Sequence, residues 1–332
     1  MRGREPSVAV LALVCLVAAS GMVQGHVPEH PDASDPVAVE DPSVSRVFYL
    51  DLGPEDVAVF SFEAAAGQAV ELAVNQPTGS GVGPPPELVL VGPGLPNGTP
   101  PPEVPAEASD GVLRAEGDRQ GPAYEPFGPS ADRRVASLNV TAPASGTFHA
   151  AVVAKEGAKA AFVIGSREAF SAIEWVTNPI QVLEAYRWAG QSWATIAVPG
   201  VLVAAAGALA ASRGIGVPRP RTPREGLVAA GGLATLATVA TVLTQAARAT
   251  AATGWTQAHL VTGLVAGLPG LVAGLHARLL AAGVTGSRRD RLQLAGLAAL
   301  GWVTWSGYVV GPALVALAAL APSSPRLDGE AA

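Results

Sequence analysis

The feature that most constrains this chain is an uncharged, mostly apolar stretch from Ala194 to Ala211. With Ser192 and Trp193 at its edge, it is long enough to cross the hydrocarbon core of a membrane, which takes about 20 helical residues. Ahead of it, Asn178 followed by Pro179 predicts a helix start, because Asn can cap free N–H groups and Pro lacks a donor that would be unused there. The sequence therefore predicts a membrane entry point that divides the chain into two halves.

Three further apolar segments follow and predict a four-helix transmembrane bundle. The predicted spans are 192–212, 226–247, 258–280 and 292–321. Arginines cluster after the first and third spans, at Arg213, Arg219, Arg221 and Arg224 and at Arg288, Arg289 and Arg291. Basic loops are typically cytoplasmic, so four spans put both clusters inside. Both ends of the chain are then outside, including a tail at 322–332.

The N-terminus has the organisation of a signal peptide. Arg2 and Arg4 precede an apolar run at 8–19, and small residues lead up to Gly25. We expect residues 1–25 to be removed by cleavage after Gly25, with an uncleaved anchor as the alternative. This agrees with a multi-pass protein of the cell membrane whose N-terminal domain is extracytoplasmic.

Cleavage would also remove all the sulfur from the chain. Cys15 is the only cysteine, and Met1 and Met22 are the only methionines. Disulfides, zinc–cysteine sites, iron–sulfur clusters and cysteine nucleophiles are then excluded.

The half before the first span predicts an antiparallel β-sandwich. After an extended Pro- and Asp-rich leader at 26–45, short apolar runs alternate with Gly- and Pro-rich turns. The runs lie at 47–52, 57–62, 68–74, 88–91, 112–115, 135–140, 147–153 and 160–164. Such a series is typical of a two-sheet sandwich, which we place at 46–166. A helical connector at 167–191 follows, in which Ser171 and Glu174 have the spacing of a capping box.

Charge divides the chain in the same way. Residues 26–178 contain 21 acidic and 8 basic residues, whereas residues 179–332 contain 5 acidic and 11 basic ones. Nucleic acids require a basic surface, so the acidic outer half predicts no nucleic-acid partner.

The order of several strands and turns resembles a known family. The segments are Phe-Ser-Phe-Glu, Ala-Ala-Gly-Gln, Val-Glu-Leu-Ala-Val, Glu-Leu-Val-Leu-Val and Ala-Ser-Gly-Thr-Phe-His-Ala-Ala-Val-Val. Over about 47–164 they resemble the bacterial pre-peptidase C-terminal β-sandwich, within an uncharacterised family of membrane-anchored sandwich proteins. The insertion that carries Gly92-Pro93-Gly94-Leu95 and Tyr124-Glu125-Pro126-Phe127-Gly128-Pro129 departs from that pattern. The resemblance implies a sandwich fold and supplies no catalytic residue.

The predicted spans contain few groups for chemistry. No Asp or Glu lies in the interior of spans two to four, which disfavours an ion-coupled transporter. The third span has a glycine stripe, and the second a threonine stripe whose hydroxyls can bond to their own helix or to another. The stripes are Gly263, Gly267, Gly270 and Gly274, and Thr235, Thr238, Thr241 and Thr244. The glycine stripe predicts close packing of a neighbouring helix. His259 and His276 are about 25 Å apart on one helix, so we expect them at opposite interfaces and not on one haem iron.

The remaining histidines suggest a copper site. Cleavage after Gly25 would make His26 the N-terminal residue, whose amine and ring nitrogen can chelate one copper ion. His30 or His149 could supply a second imidazole. The set resembles the histidine brace of lytic polysaccharide monooxygenases and of the outer subunit of particulate methane monooxygenase. Three unrelated surface histidines are the alternative.

The sequence contains no Gly-x-Ser-x-Gly elbow, HExxH helix or P-loop. We therefore predict no catalytic residues and, apart from the copper alternative, no cofactor. The favoured function is a non-enzymatic membrane protein, embedded in membrane lipid, whose β-sandwich binds a protein partner or supports a membrane complex. The alternatives are a copper-binding subunit of a membrane oxidative system and a small-molecule transporter.

Overall fold

The computed structural model describes residues 27–29, 36–169 and 171–322, which form a β-domain followed by six helices. The prediction of a β-domain ahead of apolar helices is confirmed. The strands are β1 (Val27–Glu29), β2 (Val37–Ala38), β3 (Arg46–Leu52), β4 (Val57–Ala64), β5 (Ala69–Pro77), β6 (Glu87–Pro93), β7 (Asp110–Ala115), β8 (Ala123–Glu125), β9 (Ser130–Thr141), β10 (Gly146–Val153) and β11 (Ala158–Ile164). The helices are α1 (Ala172–Trp188), α2 (Trp193–Ser212), α3 (Pro223–Thr253), α4 (His259–Ala282), α5 (Arg288–Val303) and α6 (Val310–Leu320).

The strands form two sheets. Sheet A has the order β1-β3-β11-β5-β9-β8, and sheet B has the order β2-β4-β10-β6-β7. β1 and β2 pair in parallel with β3 and β4, and the other strand pairs are antiparallel. β1 and β2 lie within the region predicted as an extended leader. Each run predicted to be a strand corresponds to a strand in the structure.

The two sheets share one core of large apolar side chains. Phe48 and Phe162 of sheet A and Phe60 and Phe148 of sheet B are each no more than 1% exposed. The rings of Phe60 and Phe162 stack with their centroids 4.3 Å apart. Strand alternation puts these residues on the inner faces, so the inward-facing register of each strand is set by this core.

The helix before the first apolar span begins earlier than predicted. Ser171 and Glu174 form the expected capping box, and α1 starts at Ala172. The prediction of a helix start at Asn178 and Pro179 is therefore wrong, because both residues lie inside α1, where Asn178 is buried. The membrane-type helix α2 starts after a break, with Ser192 as its N-cap.

Three helices are long and apolar enough to cross a membrane: α2, α3 and α4. They have 20, 31 and 24 residues. At 1.5 Å per residue α3 is about 46 Å long, which exceeds the thickness of a hydrocarbon core. The helix is therefore longer than such a layer is thick, and it contacts β8 and β9 of the β-domain.

The predicted fourth span is not a single helix. The segment 292–321 is divided into α5 and the 11-residue α6, with an irregular turn at 304–309. The two helices run antiparallel, since a methyl group on Gly301 near the end of α5 would lie 3.0 Å from Pro312 near the start of α6. Leu294 and Val315 share one buried cluster. α5 and α6 thus form a helical hairpin, which we call the C-terminal hairpin.

The turn of the hairpin requires left-handed backbone. Trp305, Gly307 and Tyr308 have φ values of 51°, 79° and 52°. Non-glycine residues seldom adopt such values. A continuous right-handed helix cannot accommodate three left-handed residues within four positions. The Gly307 N–H donates to Thr238 Oγ1 of α3 at 3.0 Å, so α3 stabilises the turn.

The hairpin returns the chain to the end of the bundle at which α3 begins. Arg224, near the start of α3, donates from Nε to the carbonyl oxygen of Ala318 at 3.0 Å and also bonds to that of Ala321. Its guanidinium also lies against Gly286, just before α5. Residue 322 is therefore at the opposite end from the β-domain, which contradicts the prediction of a fourth crossing that returns the chain to the side of that domain.

The two small-residue stripes behave differently. All four threonine hydroxyls of the α3 stripe donate to the carbonyl oxygen four residues earlier, which is one of the two predicted kinds of bond. Thr238 Oγ1 also accepts from the Gly307 N–H of the hairpin. The four glycines of α4 instead face outward, and among the described residues nothing lies within 4 Å of a methyl group built on any of them. Within the described residues this stripe therefore packs closely against no helix of the same chain. Gly231 and Gly232 of α3 are the closely packed glycines.

Candidate functional site

The candidate site is the polar junction between sheet A and the helix ends that lie next to it. α1 lies across sheet A and is held there by Trp188, whose Nε1 donates to the carbonyl oxygen of Leu50 at 3.2 Å. The Trp188 ring packs on Tyr49 with centroids 4.7 Å apart. At the other end of α1, Glu174 pairs with Arg46 of β3 at 3.6 Å. α1 is therefore anchored to the β-domain at both of its ends.

A second contact joins β8 to the start of α4. The ring of Tyr124 stacks on His259 with centroids 3.8 Å apart, and Trp255 stacks at 4.4 Å on the same imidazole. The Thr262 hydroxyl donates to the carbonyl oxygen of Pro126 at 2.8 Å. Because that hydroxyl has only one hydrogen, the Tyr124 hydroxyl, 2.8 Å away, donates to it. His259 is thus part of the domain junction.

A third contact ties α1 to the C-terminal hairpin. Pro179 has no N–H, so the carbonyl of Trp175, four residues earlier, lacks its helical partner. Trp305 Nε1 donates to that carbonyl at 2.9 Å, and Trp175 Nε1 donates to the carbonyl oxygen of Trp302 at 3.2 Å. The rings of Trp175 and Trp305 lie 5.0 Å apart. This reciprocal pair explains how a proline is accommodated inside α1.

Two carboxylates lie within this junction. Glu125 and Asp132 are diagonal neighbours on one face of the β8–β9 pair, because Ala123 is opposite Asp132 and Glu125 is opposite Ser130. The Glu125 carboxylate accepts from the Phe127 N–H at 2.9 Å, and Asp132 accepts from the Ser130 hydroxyl at 2.7 Å. Neither carboxylate forms an ion pair with a Lys or Arg of the described residues.

The environment raises the pKa of both groups. Burial, with the nearby negative charges of Asp132 and Glu168, raises the pKa of Glu125 to about 7. Burial raises the pKa of Asp132 to about 6. Burial also raises the pKa of Tyr49 far above its usual range, with both carboxylates adding to the effect. Shifts of this kind without a compensating cation are typical of functional sites.

Three side-chain amide oxygens on β5 and α1 have no hydrogen-bond partner among the described residues. They are Asn75 Oδ1, Asn178 Oδ1 and Gln181 Oε1. Asn178 is only 4% exposed, and a buried acceptor without a donor costs about 1–3 kcal/mol. The sequence offered no signal for these oxygens and the two carboxylates, because they come from β5, the β8–β9 pair and α1.

The predicted copper residues fall largely outside the described chain. His26 and His30 are not among residues 27–29, 36–169 and 171–322. His149 lies on the outer face of sheet B, where its Nδ1 is 2.8 Å from Ser61 Oγ, and partial burial lowers its pKa. Within the described ranges, no group of three or more His, Cys, Asp and Glu is placed to hold a metal ion. The copper site stays a prediction.

His276 is buried among the helices. It is 3% exposed, and its Nδ1 lies 2.8 Å from the carbonyl oxygen of Val272, which makes Nδ1 the donor because a carbonyl oxygen can only accept. The position of His259 and His276 relative to a membrane interface stays a prediction. The imidazole packs against Gly231 and Gly232, where no side chain intervenes. Its Nε2 has no hydrogen-bond partner among the described residues.

Fold and junction together define a membrane-type protein with a β-domain docked on apolar helices. No protein-family model and no curated protein sequence matches the chain. Among solved structures, it is similar to the pre-peptidase C-terminal domain of a collagenase from Bacillus anthracis, at 11% identity and a TM-score of 0.22. That match covers 40% of this chain and 93% of the other.

Proposed function

We propose that the protein is an integral membrane protein that holds an extracytoplasmic β-sandwich in a fixed position on its helices and presents it to a protein partner or membrane complex. The observation that carries the proposal is the way the sandwich is docked. Two contacts, at Trp188 and Tyr124, join the sandwich to α1 and α4, and a third, at Trp175, ties α1 to the C-terminal hairpin. A binding domain joined to the helices only by a flexible linker would not require these contacts.

The surface of the sandwich suggests how a partner would be recognised. All the large hydrophobic side chains that are exposed within the described ranges lie at or beyond Ile173. The outer face of sheet B is covered by the chain's own insertion, where Val104 packs with Val59, Val89 and Val112. A partner would therefore be recognised by polar loops, which interfaces of transient complexes commonly use.

The membrane arrangement in this proposal has the β-sandwich outside and the arginine clusters inside. The hairpin then returns the chain to the inside as well, so the arrangement has three crossings. Single cysteines at Gly81, in a loop of the sandwich, and at Gly216, in the first arginine-rich loop, test this in intact cells. We expect a membrane-impermeant maleimide to label the first and not the second. The native Cys15 would be absent after signal cleavage, and a Cys15→Ala background controls for it.

Partner binding is tested by affinity purification of the full chain in mild detergent after cross-linking. We expect one or more proteins to be recovered reproducibly with the wild type and to be lost when residues 97–109, which form much of the loop over sheet B, are replaced by a Gly/Ser segment. Purification of the protein alone, with no dependence on that loop, would refute partner presentation. The copper and transport alternatives remain predictions to be tested by copper titration and by solute flux in liposomes.

A further inference from the structure

We propose that the junction between the β8–β9 pair and α1 binds a hard divalent cation, with the chemistry of Ca²⁺, through the carboxylates of Glu125 and Asp132 and the side-chain oxygen of Asn178. The site goes beyond partner presentation and does not depend on it. It would fasten the β-domain to the helices.

The ligand atoms come from two elements that already contact each other. Val182 of α1 lies against the β8–β9 turn, since a methyl group on Gly128 would be 3.1 Å from Val182 Cγ1. Asn178 is one helical turn before Val182, on the same side of α1. Gly128 is three residues after Glu125. The Asn178 oxygen is thus on the stretch of α1 that faces the turn carrying the two carboxylates.

The chemistry of the set favours a cation over other ligands. Glu125 and Asp132 supply carboxylate oxygens, and Asn178, Gln181 and Asn75 supply amide oxygens that have no donor among the described residues. Ca²⁺ takes six to eight oxygen ligands from carboxylates, amide carbonyls and waters. A transition metal would favour imidazole or thiolate, and both ring nitrogens of His259, the imidazole of the described junction, already have hydrogen-bond partners. An anion would be repelled by the two carboxylates.

A bound cation would also resolve two costs of the unliganded junction. It would compensate the two carboxylates, which have no cationic side chain paired with them within the described ranges. It would also give the Asn178 oxygen, which is 4% exposed, an electropositive partner.

Terbium luminescence tests the site in the purified full-length protein in detergent. Tb³⁺ replaces Ca²⁺ at oxygen sites and emits when excited through nearby aromatic rings, which Tyr49, Tyr186 and Trp188 provide. We expect a saturable signal that Ca²⁺ displaces. We expect at least a tenfold loss of affinity in the Glu125→Gln, Asp132→Asn double variant, and a several-fold loss in Asn178→Ala, which changes no charge.

The matched control is the Asp51→Asn, Glu87→Gln double variant, which makes the same change in net charge at two acids that pair with Lys159 and Arg114 elsewhere on the β-domain. Its affinity should equal that of the wild type. A wild-type signal that does not saturate or that Ca²⁺ does not displace would overturn the proposal, and so would an equal loss in the control. If the Glu125 and Asp132 variant does not fold, unchanged binding by Asn178→Ala would overturn it. If the wild-type protein recovers no partner but still binds Tb³⁺, partner presentation alone is refuted.

Discussion

The β-domain and the helices bury their interiors by different means. The core between the two sheets is filled by large side chains, with Phe48, Phe60, Phe148 and Phe162 almost fully enclosed. The interior of the helices instead brings backbones together at Gly231, Gly232 and Gly311, around a histidine and a threonine stripe. In water, apolar area removed from solvent drives packing, whereas in lipid the tails are as apolar as the side chains. Close backbone approach and hydrogen bonds then decide which helices associate.

The largest effect should come from the core of the β-domain. Phe60→Ala removes a ring that stacks on Phe162 and leaves a cavity that the two sheets cannot close. We expect a loss of about 3–5 kcal/mol in unfolding free energy. Limited proteolysis of the full chain, with loss of resistance at sites in 36–169, measures it. If the Phe60→Ala variant resisted the protease as well as the wild type does, the aromatic core would not be what stabilises this domain.

A matched pair of glycine substitutions tests the packing among the helices. A methyl group on Gly231 would lie 2.8 Å from Val315 and 3.2 Å from the Gly311 carbonyl oxygen, whereas one on Gly267 of α4 meets nothing within 4 Å. We expect Gly231→Ala to lower stability by about 1–3 kcal/mol and Gly267→Ala to leave it unchanged or raise it slightly. Thermal unfolding in detergent, followed by tryptophan fluorescence, gives both values. Equal values for the two variants would contradict close packing of the hairpin on α3.

The junction should make stability depend on pH. Glu125 binds its proton more tightly in the folded protein, where its pKa is about 7, than at its ordinary value of 4.5. The folded state is therefore favoured at low pH, and this contribution is lost as the pH rises from about 4.5 to about 7. Allowing for partial exposure, we expect about 2 kcal/mol in a cation-free buffer. Glu125→Gln should flatten the profile, and an unchanged slope would place the titration elsewhere.

The smallest effect should come from the tie between α1 and the hairpin. Trp305→Phe keeps an aromatic ring beside Trp175 but removes the N–H that bonds to its carbonyl. We expect a loss of about 1 kcal/mol, typical of one hydrogen bond. If Pro179 leaves the Trp175 carbonyl without its helical partner, Pro179→Ala should restore that backbone hydrogen bond. Trp305→Phe should then lower the stability by less in the Pro179→Ala background than in the wild type. An undiminished cost in the Pro179→Ala background would contradict that explanation.

Local patterns predicted much of the architecture. Alternating apolar runs indicated the main strands within a few residues, because each inward position must be filled for the two sheets to share a core. The Ser171 and Glu174 spacing correctly indicated the capping box, which depends on residues only three apart. Long uncharged segments indicated α2, α3 and α4, since length and composition alone decide whether a helix can cross a membrane.

Tertiary contacts decided the features on which function depends. Hydropathy cannot distinguish one long helix from the C-terminal hairpin, because both are equally apolar. The turn forms where left-handed backbone at Trp305, Gly307 and Tyr308 is held by the hydrogen bond that the Gly307 N–H donates to α3. Asn178 and Pro179 have the sequence of a helix start, yet lie inside α1 because Ser171 caps it first and Trp305 takes up the free carbonyl. The proposed site of Glu125, Asp132 and Asn178 joins residues some 50 positions apart, so its assembly depends on the docking of α1 on the β-domain.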